Sequence, residues 1–166
     1  LDIFVEESRE HLQRLNSSLL ELEKNNQDKS VLNEIFRVAH TLKGMSGTMG
    51  YSKMQVLTHN MEDVLDALRN ERIKANPAMV DILFQCLDAL ETYVNNIVAT
   101  GNEGNDRFDE IITGLKGILT GEGQSEAPKD KTPSSPSERN TSSTANTAMG
   151  MRLELNTYDQ NVIRKA

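Results

Sequence analysis

The chain holds three histidines, and one of them, His40, stands in unusual company. Lys43 follows it at i+3, Gly44 at i+4 and Gly47 at i+7, with Arg37 one turn before. At 100° per residue the apolar stripe of the same helix points about 170° away from His40, which is therefore predicted to face solvent. Glycine inside a helix costs about 0.5–1 kcal/mol relative to alanine. Two of them beside an exposed imidazole suggest room left for another molecule to approach it. Further along, His59 and Glu62 fall at i,i+3 on the outer side of a second apolar stripe. Counted from the turn signal Gly50-Tyr51, His40 lies about ten residues back and Glu62 about eleven forward, so antiparallel helices bring them level. A carboxylate accepting from Nδ1–H would fix the tautomer with a bare Nε2 outward, and so make a better nucleophile.

Five helices are predicted to position these groups, and together they define an all-α fold. The first, about residues 2–24, carries Val5, Leu12, Leu15, Leu19 and Leu22 on one stripe. The second, about 30–49, carries Ile35, Val38, Ala39, Leu42, Met45 and Met49, with Gly50 as its stop. Ser52-Lys53-Met54-Gln55 has capping-box spacing and opens a third, with Met54, Leu57, Met61, Val64, Leu65 and Leu68 inward. Asn76-Pro77 offers an N-cap and an N1 proline to a fourth, which buries Leu83, Cys86, Leu87, Leu90, Val94 and Ile97 before Gly101. A shorter fifth follows Asn105-Asp106, with Phe108, Ile111, Ile112, Leu115 and Leu119. Short connections favour antiparallel neighbours, hence an up-down-up-down four-helix bundle over residues 1–119 with an additional C-terminal helix. Residues 120–150 contain no Val, Ile, Leu, Phe, Tyr or Trp and are rich in Ser, Thr, Pro and Gly, so they read as a disordered, flexible linker. In 151–166, Met151, Leu153 and Leu155 alternate with polar residues, as in the truncated start of another domain.

Charge and composition narrow the chemistry. Residues 1–119 contain 12 basic and 19 acidic side chains, which accounts for the net charge of −7 and argues against nucleic acid as a partner. No stretch is long and apolar enough to insert in a membrane, and the start lacks a secretory signal; one cysteine cannot form an internal disulfide. A cytoplasmic setting is expected. Cys86 and the methionines at 45, 49, 54 and 61 read as core, and His11 as surface. A two-histidine, one-carboxylate metal site from His40, His59 and Glu62 is the rival chemistry, disfavoured because bundle metal sites project inward. No metal or cofactor is expected on this chain.

The run Phe36-Arg37-Val38-Ala39-His40-Thr41-Leu42-Lys43-Gly44, followed by Gly47-Thr48-Met49-Gly50 and then His59-x-x-Glu62, resembles the histidine phosphotransfer domain at the N-terminus of the CheA chemotaxis kinases. The likeness covers residues 1–119. It implies that His40 is phosphorylated at Nε2, that Lys43 helps neutralise the phosphate, that Glu62 orients the imidazole, and that His59 supports the hydrogen-bond network. Gly44, Gly47 and Arg37 would serve access and docking. The implied partners are the ATP-binding kinase domain of the same protein, through which ATP and magnesium are supplied, and a CheY-like response regulator whose aspartate receives the phosphoryl group. Residues 151–166 would open a response-regulator-binding domain. The chain would be carrier and substrate rather than catalyst; the alternative is a helical interaction module that is never phosphorylated.

Overall fold

In a computed structural model, residues 1–121 are described, and these comprise five α-helices. They are α1 (Asp2–Lys24), α2 (Lys29–Met49), α3 (Ser52–Arg69), α4 (Pro77–Thr100) and α5 (Asp109–Thr120). The first four pack in a ring, α1 on α2, α2 on α3, α3 on α4 and α4 back on α1, which is the up-down-up-down bundle. Helix α5 lies against α3 and α4. The fifth helix runs through Thr120, with Gly121 as its cap, one residue past the expected boundary. From residue 122 onward, the expected linker and the start of another domain lie outside the described residues.

The core is a continuous apolar column. Leu15, Leu19 and Leu22 from α1 meet Ile35 and Leu42 from α2, Met54, Leu57, Met61 and Leu65 from α3, and Leu83, Leu90 and Tyr93 from α4. Each such side chain removed from water contributes about 1.5–3 kcal/mol against the entropy of ordering the chain.

Helix ends are set by local chemistry. The Asp28 side chain accepts from the N–H groups of Ser30 (2.9 Å) and Val31 (3.2 Å) and so starts α2. Gly50 ends it at φ 78°, a left-handed conformation that glycine takes without penalty. Asn76 accepts from Met79 N–H at 2.9 Å and Pro77 occupies the first turn, as expected for α4. At the start of α3 the expected capping box does not form. The carboxylate of Glu103, in the α4–α5 connection, accepts instead from Lys53 N–H and Met54 N–H, both at 2.9 Å. Lys53 returns the contact by donating from Nζ to the carbonyl of Gly104.

Several inward assignments shift. Phe4, rather than Val5, leads the buried row of α1, because the row runs Phe4, Ser8, Leu12, Leu15; Phe4 rests on Tyr51 with ring centroids 5.0 Å apart. Val5 is only half-buried. Met49 is 41% exposed, since it ends α2 beside Leu1 and Ile3 in a shallow groove, and the buried row of α2 steps from Leu42 to Ser46. Leu119 is likewise exposed, while Leu115 and Ile118 carry the packing of α5. His11 is half-buried rather than on the surface, with its Nδ1 closed off from solvent.

Candidate functional site

Helices α2 and α3 run antiparallel from the Gly50 turn, so residues at matching distances from it face each other across one seam. His40 lies on the outer side of α2, its side chain 62% exposed. Glu62 enters from α3 with only 13% of its side chain exposed, and its Oε1 accepts from His40 Nδ1 at 2.9 Å. The pairing requires Nδ1 to carry the hydrogen, which leaves Nε2 as the ring nitrogen free to react.

Lys43, one turn further along α2, brings Nζ to 2.7 Å from the other carboxylate oxygen, Oε2. That approach lies off the hydrogen-bond axis, so it is an ion pair rather than a directed bond, and Oε2 retains unused acceptor capacity. Burial alone would raise the Glu62 pKa, but the close ion pair with Lys43 and the hydrogen bond from His40 outweigh it and hold the carboxyl below its ordinary 4.5. Glu62 is thus an anion near neutral pH, placed to orient an imidazole and to balance positive charge on it.

The remaining predicted site residues divide. A Cβ at Gly44 would meet nothing within 4 Å, so the surface one turn from His40 is open. At Gly47 a Cβ would sit 2.7 Å from Nε2 of Gln55, the far end of an exposed side chain of α3 that leans over this position. His59 does not join the His40–Glu62 pair. It turns one residue further along α3, with Nε2 3.6 Å from Asp63 Oδ2, both side chains largely exposed. Arg37 is exposed and lines a shallow groove with Ser18 and Glu21 of α1. With His59 paired elsewhere, the two-histidine metal reading loses a ligand. Among the described residues no group of three or more His, Cys, Asp or Glu is placed to hold a metal ion. Also among them, no helix is long and apolar enough to cross a membrane.

Residues 1–97 match the family described as the Hpt domain. The chain belongs to the Hpt domain family. Its Hpt domain is similar to the chemotaxis protein CheA of Bacillus subtilis (strain 168), 51% identical over 115 residues, covering 69% of this chain and 17% of that protein. It is also similar to CheA of Listeria innocua serovar 6a, 44% identical over 132 residues, covering 80% of this chain and 21% of that one. The chain therefore spans about a fifth of the length of these curated relatives. Among solved structures, the Hpt domain matches the solution structure of the histidine phosphotransfer domain of CheA with a TM-score of 0.65 and 40% identity, covering 80% of this chain and 96% of that one.

Proposed function

We propose that this Hpt domain carries a phosphoryl group on Nε2 of His40, as part of a chemotaxis histidine kinase. The group arrives from ATP, bound with magnesium by a kinase domain of the same protein, and leaves to an aspartate of a CheY-like response regulator. In the first step the Nε2 lone pair forms a bond to the γ-phosphorus while the bond to the bridging oxygen of ADP breaks and takes its electron pair. The Nδ1 hydrogen stays in place, so the ring becomes cationic, and the Glu62 carboxylate beside Nδ1 stabilises that charge. Lys43, paired with Oε2 at 2.7 Å, keeps a positive charge one turn from His40, where it would help neutralise the incoming phosphate. In the second step the aspartate oxygen bonds to phosphorus as the P–Nε2 bond breaks, and the neutral imidazole is restored. Phosphoryl transfer asks mainly for positioning and charge stabilisation, so a bundle presenting one oriented imidazole suffices for the carrier's share.

The observation that supports this reading is the 2.9 Å contact between His40 Nδ1 and Glu62 on a ring that is otherwise mostly in solvent. His40→Gln should abolish acid-labile, alkali-stable label from radioactive ATP plus the kinase domain while leaving the circular dichroism spectrum unchanged. Equal labelling of the variant would reject phosphotransfer at His40.

A further inference from the structure

An imidazole that must aim one nitrogen at phosphorus needs two constraints, and the bond from Glu62 provides one. A single contact at Nδ1 selects the tautomer yet leaves the ring able to swing about the Nδ1···Oε1 line. The Nε2 lone pair lies in the ring plane, so in-line transfer also requires that plane to be fixed.

A second contact to the ring comes from one turn earlier on α2. Phe36, at i−4 from His40, holds its ring 6.1 Å from the imidazole, centroid to centroid, with the planes only 15° apart. That distance lies within the range of offset stacking. Phe36 is half-buried and packs on the bundle core, so it is less mobile than the imidazole it touches. The guanidinium of Arg69, from the end of α3, sits over the Phe36 ring at 3.9 Å from its centroid. Arg69 in turn donates to Asp66 Oδ1 at 3.0 Å. The spacing makes this one structure: 36 and 40 follow each other on α2, 62, 66 and 69 on α3, and the seam that joins His40 to Glu62 joins Phe36 to Arg69 on the next rung.

We propose that Phe36, held in place by Arg69, is a positioning residue that sets the plane of the His40 ring for attack at phosphorus. The inference rests on the reading of His40 as the phosphoryl acceptor, and its test is arranged so that the two can fail separately.

The 166-residue chain is treated with phosphoramidate, a small donor that needs no kinase domain. Nε2 bonds to phosphorus as the P–N bond of the donor breaks, and ammonia leaves with the electron pair. The rate is followed by phosphorus NMR, and the His40 ring by proton–nitrogen NMR. Phe36→Leu should slow phosphorylation by about tenfold, in keeping with the cost of small misplacements of a reacting group. Phe36→Tyr, which keeps the ring, should restore the rate, and Arg69→Gln should fall between them. In Phe36→Leu the His40 ring protons should lose the ring-current shift from Phe36 while the nitrogen pattern of the Nδ1–H tautomer persists, because Glu62 is untouched. An unchanged rate in Phe36→Leu overturns the proposal, and so does an equal loss in Phe36→Leu and Phe36→Tyr, which would mark Phe36 as packing alone. If His40→Gln takes up the same label as the parent, the phosphotransfer reading fails instead. The ring protons of His40 still decide whether Phe36 touches the imidazole, and no shift change in Phe36→Leu rejects that contact.

Discussion

At the scale of single residues, the proposed function rests on how a carboxylate is kept charged where water is scarce. Glu62 is largely buried, which opposes ionisation, yet Lys43 and His40 hold its pKa below 4.5. Because the folded pKa is lowered, the stabilisation from this charge is complete above the ordinary value and is lost as pH falls through the lowered one. The urea midpoint of the parent should therefore exceed that of Glu62→Gln near neutral pH, and the gap should close in acid once Glu62 is protonated. A gap that persists undiminished in acid would show that the carboxylate charge is not its source. On the proposed function, Glu62→Ala should also slow phosphorylation of His40, since among the described residues only Glu62 bonds Nδ1 and selects the tautomer; a rate equal to the parent's would remove Glu62 from the mechanism. His40 and Glu62 were legible in the sequence because helix period and distance from one turn suffice to bring two outward residues level. His59 was not, because i+3 and i+4 partners are both within reach on a helix, and Glu62 and Asp63 occupy those two positions. For Gly47, periodicity gives the direction of the absent side chain but not that the Gln55 side chain leans over it.

At the scale of elements, the site depends on α2 and α3 keeping their register, and the start of α3 is held from a distance. Glu103 caps its first turn from the α4–α5 connection, 50 positions away from Lys53 in sequence. Glu103→Ala should lower unfolding free energy by about 1 kcal/mol, the usual worth of an N-cap. Ser52→Ala should leave it nearly unchanged, because the Ser52 side chain makes no capping bond. Urea denaturation of both variants checks this, and a larger loss in Ser52→Ala would restore the local capping box. The caps at Asn76 and Gly50 could be read from sequence because their partners lie within four residues. The Glu103 cap could not, since a sequence pattern carries no signal for a bond across some fifty positions. Phe36 and Arg69 belong to the same class: one stood in the motif with no evident contact, and the other was an ordinary helix-end arginine until α3 was folded against α2.

At the scale of the whole molecule, the five-helix order and most of the core followed from period alone, since every long helix has a continuous apolar row bounded by glycine, asparagine or proline signals. Two of the errors, Met49 and Leu119, lie at row ends, where a residue keeps the stripe's direction but no neighbouring helix remains to cover it, whereas Val5 is displaced because the buried row of α1 runs through Phe4 and Ser8. A core this closed has a chemical signature. Cys86 is fully buried in α4, and burial pushes its thiol up to about 12. Its reaction with an aromatic disulfide reagent should therefore proceed no faster than the bundle opens and should accelerate with urea. Immediate reaction in native buffer would contradict the packing of α4.

The central claim is that the bundle exists to present Nε2 of His40 to phosphorus, with Nδ1 occupied by Glu62. The most direct test is the phosphorus–proton coupling pattern of the phosphorylated protein, measured by NMR with His40 assigned. Attachment at Nε2 predicts coupling from phosphorus to both carbon-bound ring protons of His40. Coupling to the Hε1 proton alone would place the phosphorus on Nδ1, and coupling to another histidine would place it off His40; either would contradict the account.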